Sequence, residues 1–158
     1  MGDLSSISSS SGYLRALAEI LKRFPEHMHL FAGAGDIRAF RGFLHSEGVL
    51  TRIRFLGDMS DVTPLLVASD IYFASFPSFD AEPILAARGA GVPVLVLQSN
   101  RKPSDGPAAG ASELSAANEP EYVEIASRFL RNLKARATQP QESPAGAANP
   151  AQLSLFPR

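Results

Sequence analysis

Short, almost wholly apolar runs alternating with helix-patterned segments are the feature that most constrains what this chain can fold into. Pro93 to Leu97 is an unbroken apolar stretch, and Met28 to Ala32, Ile53 to Leu56 and Ile71 to Ser75 read as further strands. Strands that lack a regular apolar-polar alternation belong to parallel sheets with helices over both faces. The segments between them supply those helices. Leu14, Leu17, Ala18, Ile20, Leu21 and Phe24 recur at three- and four-residue spacing on one helical face, which Pro25 terminates. Asp36 to Glu47 turns Ile37, Phe40 and Leu44 inward and offers Gly48 as a C-cap, while Asp61 to Ala68 suits a short helix. Glu82 to Ala90 forms another before Gly91, and Glu119 to Arg136 carries a stripe of Tyr122, Ile125, Ala126, Phe129, Leu130 and Leu133. This order predicts an α/β chain with a Rossmann-like, doubly wound parallel sheet and helices on both faces.

Composition divides the chain into three parts. Residues 1–11 are serine-rich and read as a flexible arm, 12–136 as the folded domain, and 137–158, rich in Pro, Ala, Gln, Ser and Gly, as a disordered tail. Gln98 to Gly110 reads as a mobile loop within the domain. With 158 residues, 45% of them apolar, the chain is long enough for a core of its own. It has no cysteine, which excludes disulfides, thiol catalysis and cysteine zinc sites. A net charge of -1 leaves no basic excess for a nucleic-acid surface, and no apolar run approaches a membrane span or a secretory signal. A cytoplasmic location is the expectation.

Ligands of open α/β sheets sit outside the carboxyl ends of the strands, where glycine turns admit the backbone to a ligand and helix N-termini offer N–H groups. Gly33, Gly35 and Gly57 fall at such strand ends, and Ser78, Phe79, Asp80, Ala81 and Glu82 lead from another into a helix. Gly33 and Gly35 either cradle a phosphate or simply make the turn. Glu82 either contacts a ligand hydroxyl or stabilises its helix N-terminus. Arg101 and Lys102 are either solvated loop charges or phosphate ligands. Asp58, Asp61 and Asp70 suit turns and caps. His27, His29 and His45 lack metal-ligand spacing, so surface or strand-edge roles are expected for them, and no Asp-x-Asp carboxylate pair implies a metal. No cofactor is indicated.

FAGAGD (Phe31 to Asp36), RIRFLGDMSDVTPLLVASDIYFASFP (Arg52 to Pro77), AARGAGVPVLVL (Ala86 to Leu97) and ANEPEYVEIASRFLRN (Ala117 to Asn132) together resemble the C-terminal, nucleotide-sugar-binding domain of GT-B glycosyltransferases. The resemblance is nearest to the group holding O-GlcNAc transferase-like and retaining bacterial enzymes, and it covers nearly the whole predicted core. It implies a nucleoside diphosphate sugar, UDP-sugar foremost, as ligand, with the pyrophosphate at the helix start after Ser78 to Asp80. The base would lie near the turn after Phe55-Leu56-Gly57, and Arg101 and Lys102 would close over the ligand.

Set against that pattern, the chain departs at several positions. Retaining relatives carry two glutamates eight positions apart, which counted back from Gly91-Val92-Pro93 fall at Ser78 and Ala86; Glu82 stands one helical turn before Ala86. Asp80 and Glu82 oppose an anion at that helix start. The family's first strand and its Arg/Lys loop have no counterpart in Leu4-Ser5-Ser6-Ile7, with no basic residue before Arg15. The domain is therefore expected to lack the first strand and the acceptor-binding N-terminal half, and to be inactive or slow alone. Gln152, Leu153, Leu155 and Phe156 in the tail resemble the peptide by which bacterial repair proteins dock on the sliding clamp. A non-catalytic interaction module that recruits a partner through this motif is the alternative, and half of a Rossmann-like epimerase is a third.

Overall fold

The computed structural model describes Leu4 and residues 12–77, 81–98 and 113–138. Among the described residues five α-helices and five strands, with a short 3-10 helix at Leu50–Arg52 ahead of β2, follow in the order α1 (Gly12–Arg23), β1 (His29–Ala32), α2 (Arg38–Ser46), β2 (Ile53–Gly57), α3 (Thr63–Val67), β3 (Tyr72–Phe73), α4 (Ala81–Gly89), β4 (Val94–Leu97), β5 (Glu113–Ala116) and α5 (Glu119–Thr138). Every ladder is parallel: β1 pairs with β2 from His29 opposite Ile53, β3 with β4, and β4 with β5. The α/β alternation read from the sequence is thus present, with local differences. Helices α2 and α3 start two residues after the aspartates expected to open them. In each case the carboxylate accepts the N–H two residues on, Asp36 from Arg38 at 2.9 Å and Asp61 from Thr63 at 2.8 Å, which forms a turn ahead of the helix. Helix α5 continues through Ala137 and Thr138, past the Arg136 boundary. Strand β5 was not anticipated. The serine arm apart from Leu4, most of the Gln98 to Gly110 loop and the tail from residue 139 lie outside the described residues.

Helices cover the strands from two sides. On one side α1, α2 and α5 pack Tyr13, Leu14, Leu17, Phe40, Tyr122 and Ala126 against Phe31, Ile53, Leu95 and Leu97. On the other, Leu66 of α3 with Ile84 and Ala87 of α4 meets Ala74, Val94 and Val96. Successive β4 residues therefore point into opposite cores, and this is why its sequence shows no polar alternation. Phe31 is the hub of the first core: its ring stacks on Phe55 at 5.5 Å between centroids and meets Tyr13 edge-on at 6.5 Å. Tyr122 carries a hydroxyl into that core and satisfies it by donating to the Ala74 carbonyl at 3.1 Å.

Polar pairs fix the remaining interfaces. Arg23 at the end of α1 reaches Glu124 at 2.6 Å and Ser127 Oγ at 3.3 Å on α5. Arg88 of α4 pairs with Glu113 of β5, whose side chain is only 3% exposed. No helix among the described residues is long and apolar enough to cross a membrane.

Candidate functional site

The carboxyl ends of β1 and β2 meet at two of the candidate glycines. Gly33 donates its N–H to the Gly57 carbonyl at 2.8 Å, and their φ values of 146° and 72° lie where side-chain-bearing residues rarely go. A Cβ built on Gly57 would meet nothing, so that position demands a conformation and not space. Gly35, with φ 131°, is exposed one turn further on. Leu4, itself buried, donates its N–H to the carbonyl of Ala34 at 2.8 Å and ties the start of the chain to the same corner.

Beside this corner opens a cavity of about 790 Å³ that runs between β1 and β3. Gly33, Met59, Ser60, Glu82, Pro83 and Ala86 form the part at the strand ends; Tyr13, His29, Phe31, Tyr72 and Phe73 line the part between the strands. Glu82 and Ala86 stand one turn apart on α4 and share this wall, as their spacing implies. Ala81 is the exposed first residue of α4. Gly35 and Gly57 are not in the wall, while Ser78, Phe79, Asp80, Arg101 and Lys102 lie outside the described residues. Met59, Ser60 and His29 were not singled out for this cavity in the sequence. Met59 and Ser60 follow directly on the Gly57 turn, and His29 begins a strand, so the only available signal was adjacency to an expected strand end.

The cavity's electrostatics are unlike those of a preformed anion site. Asp70 and Glu82 are in its wall, and no Lys or Arg is among its described lining residues. His27 and His29 are the nearest thing to cations there. Burial pushes the His29 imidazole down from 6.5 to about 4, so it is neutral near pH 7. Burial, with Tyr72 close by, pushes the Tyr13 phenol up. Its hydroxyl lies 3.5 Å from both His29 Nε2 and the Phe73 carbonyl. Among the described residues no group of His, Asp and Glu side chains could hold a metal ion.

No family model matches the sequence, and no curated protein matches it significantly. Solved structures do match. Anabaena HepE in complex with UDP superposes with a TM-score of 0.68 at 18% identity, over 87% of this chain and 40% of that one. WaaG, a glycosyltransferase involved in lipopolysaccharide biosynthesis, gives 0.63 at 20% identity over 82% of this chain and 37% of that one. An O-GlcNAc transferase from Thermobaculum terrenum gives 0.64 at 24% identity over 78% and 26%. At these identities the likeness shows a shared fold. The chain spans well under half the length of each of these structures.

Proposed function

We propose that this chain, which has the fold of a GT-B glycosyltransferase-like domain, is the half of such an enzyme that binds the nucleotide sugar, hexosyl or N-acetylhexosaminyl transfer being the reaction it serves. The observation that carries the reading is the corner where Gly33, the start of α4 and the Met59-Ser60 turn border one cavity at the carboxyl edge of a parallel sheet. The N–H groups in the first turn of α4 meet the diphosphate beside the corner that the Gly33 to Gly57 hydrogen bond holds in place, and Glu82 faces the ribose. The likeness to a fold crystallised with UDP supports UDP as the nucleotide. Catalysis in such a cleft is positioning and stabilisation of the departing diphosphate, for which cations are needed. The described wall supplies none, so Arg101 and Lys102 and a second, acceptor-binding domain complete the site, and the chain alone turns over slowly or not at all.

Calorimetry with UDP, GDP and UDP-GlcNAc tests this. UDP and UDP-GlcNAc bind, and Gly33→Val abolishes binding while Glu82→Gln weakens it selectively for nucleotides with a ribose 2′-hydroxyl over the 2′-deoxy analogue. A folded protein silent toward every nucleotide refutes the reading, and ordinary enzyme turnover by the isolated chain refutes the need for a second domain. The acidic, cation-poor wall favours one other reading, a non-catalytic module that recruits a partner through Gln152, Leu153, Leu155 and Phe156. It predicts nucleotide silence together with partner capture that is lost on deleting those residues.

A further inference from the structure

Helices cover the second face of the sheet unevenly. There α3 and α4 pack Leu66, Ile84 and Ala87 on Ala74, Val94 and Val96, at β3 and β4, and no residue of β1 or β2 joins that core. Phe31, Ile53 and Phe55 point the other way, into the core under α1 and α2, so their alternating neighbours Leu30, Arg54 and Leu56 face this side. Met28, two residues before Leu30, continues the row. Met28 is 54% exposed, Leu30 37% and Leu56 43%, although strands of a doubly wound sheet are normally buried on both faces. Three of the five exposed large apolar side chains among the described residues thus share one bare strip.

Where the rest of the chain is attached decides what can cover the strip. Residues 99–112 connect β4 to β5, beyond β3 from the strip. Residues 5–11 are held at both ends, by the Leu4 to Ala34 hydrogen bond and by α1 from Gly12, and Ile7 is their one large apolar residue. Residues 139–158 are tied only through α5. That helix brings Lys134 within 3.0 Å of Glu26, two positions before Met28, and Leu130 lines the same cavity as His27 and Met28. Thr138 closes α5 about one turn after Lys134, so the tail leaves the domain beside the Met28 end of the strip. From Gln139 to Gln152 it carries no Val, Ile, Leu, Met or aromatic residue; then Leu153, Leu155 and Phe156 come together. A flexible stretch as long as that from Thr138 to Leu153 spans about 20 Å on average, enough to pass from the α5 layer around a sheet one strand thick.

We propose that the strip is the seat of the chain's own tail, with Leu153, Leu155 and Phe156 lying over Met28, Leu30 and Leu56. In an extended segment Leu153 and Leu155 share a face at the same two-residue spacing as Met28 and Leu30. The seated tail leaves Gly33, Glu82 and Ala86 open at the other end of the cavity, so this inference stands whether or not a nucleotide binds there. Seating also masks the tail. Its three apolar side chains are either on the strip or in a partner's pocket, and any partner that takes Gln152 to Phe156 competes with the domain for them.

Met28 reports the cover, because peroxide oxidises a thioether according to its exposure. The full chain is compared with the full chain carrying Leu153→Ser, Leu155→Ser and Phe156→Ser, which alter no packed element, and sulfoxide formation at Met28 and Met59 is followed by mass spectrometry. Met28 oxidises at least about fivefold more slowly in the native chain, by the same factor at every protein concentration, while Met59 at the strand ends oxidises equally in both. Equal Met28 rates in the two proteins overturn the proposal. So does protection that disappears on dilution, because a second copy then supplies the cover. A change at Met59 as large as that at Met28 overturns it as well, since the tail then acts on the whole domain and not on this strip.

Discussion

His29 makes the chain's stability fall in mild acid by a calculable amount. Its ring lies 4.6 Å from Phe31 and 6.1 Å from Phe73, nearly parallel to the latter, and its one polar neighbour of note is the uncharged Tyr13 hydroxyl. No carboxylate offsets the cost of charging the imidazole, so burial alone takes it from 6.5 to about 4. Because the folded value lies below the unfolded one, the unfolded chain binds the extra proton first. Stability is therefore complete above the ordinary histidine range and is lost as pH falls from about 6.5 toward about 4. The gap between the two values is worth on the order of 3 kcal/mol when fully realised, and about 2 kcal/mol between pH 7 and pH 5. Carboxylates held low by hydrogen bonds, Asp36 with Arg38 and Asp61 with Thr63, lose stability too on acidification. They do so equally in a variant, so the difference between proteins isolates the imidazole. Urea denaturation of the native chain and of His29→Phe at pH 7, 6 and 5 is the assay, and the native chain loses about 2 kcal/mol more than the variant across that interval. Parallel stability curves for the two proteins would falsify the assignment of the acid sensitivity to His29.

Other positions test the packing. Tyr122→Phe leaves the buried Ala74 carbonyl without its 3.1 Å donor, and urea titration shows a loss of about 1 to 2 kcal/mol. Gly57→Ala introduces no clash but forces a side chain onto φ 72°, which lowers stability by about 1 to 2 kcal/mol in thermal unfolding. Arg88→Met leaves the Glu113 carboxylate buried without its guanidinium and costs about 3 kcal/mol; adding Glu113→Leu recovers most of it in the same denaturation assay.

What the sequence disclosed followed from how local each signal was. The β4 run is apolar on both faces because two cores need it, and the α1 and α5 stripes are apolar at helical spacing because each faces one core. Both patterns are complete within a dozen residues. Strand β5 was missed because Glu113-Leu114-Ser115-Ala116 looks half polar. The burial of Glu113 depends on Arg88, 25 positions earlier in the chain. Chain punctuation at Gly33 and Gly57 disclosed the turns that bring the ends of β1 and β2 together, although Gly57 stays out of the cavity wall, and the α4 spacing disclosed that Glu82 and Ala86 share one face. Its lining by His29 and Tyr13 was not legible, because it depends on which strands are neighbours. Periodicity reports the faces of a strand and says nothing about its edges, so it could not tell which strands border the cavity.

The clasp between α1 and α5 also dictates an order of events. Arg23 and Glu124 are 101 positions apart, yet α1 buries Leu14, Leu17 and Leu21 in a core that α5 completes with Tyr122, Ala126 and Leu130. Bringing ends so distant together costs about 4 kcal/mol of chain entropy before any contact repays it. A nascent chain leaving the ribosome thus exposes its first helix's apolar face until the last helix has emerged, and for that interval α1 is the segment a chaperone would find. Reopening the chain at the exposed Asp58 turn and linking its present ends would make the pairing local, and such a permuted protein would fold faster from the same set of contacts.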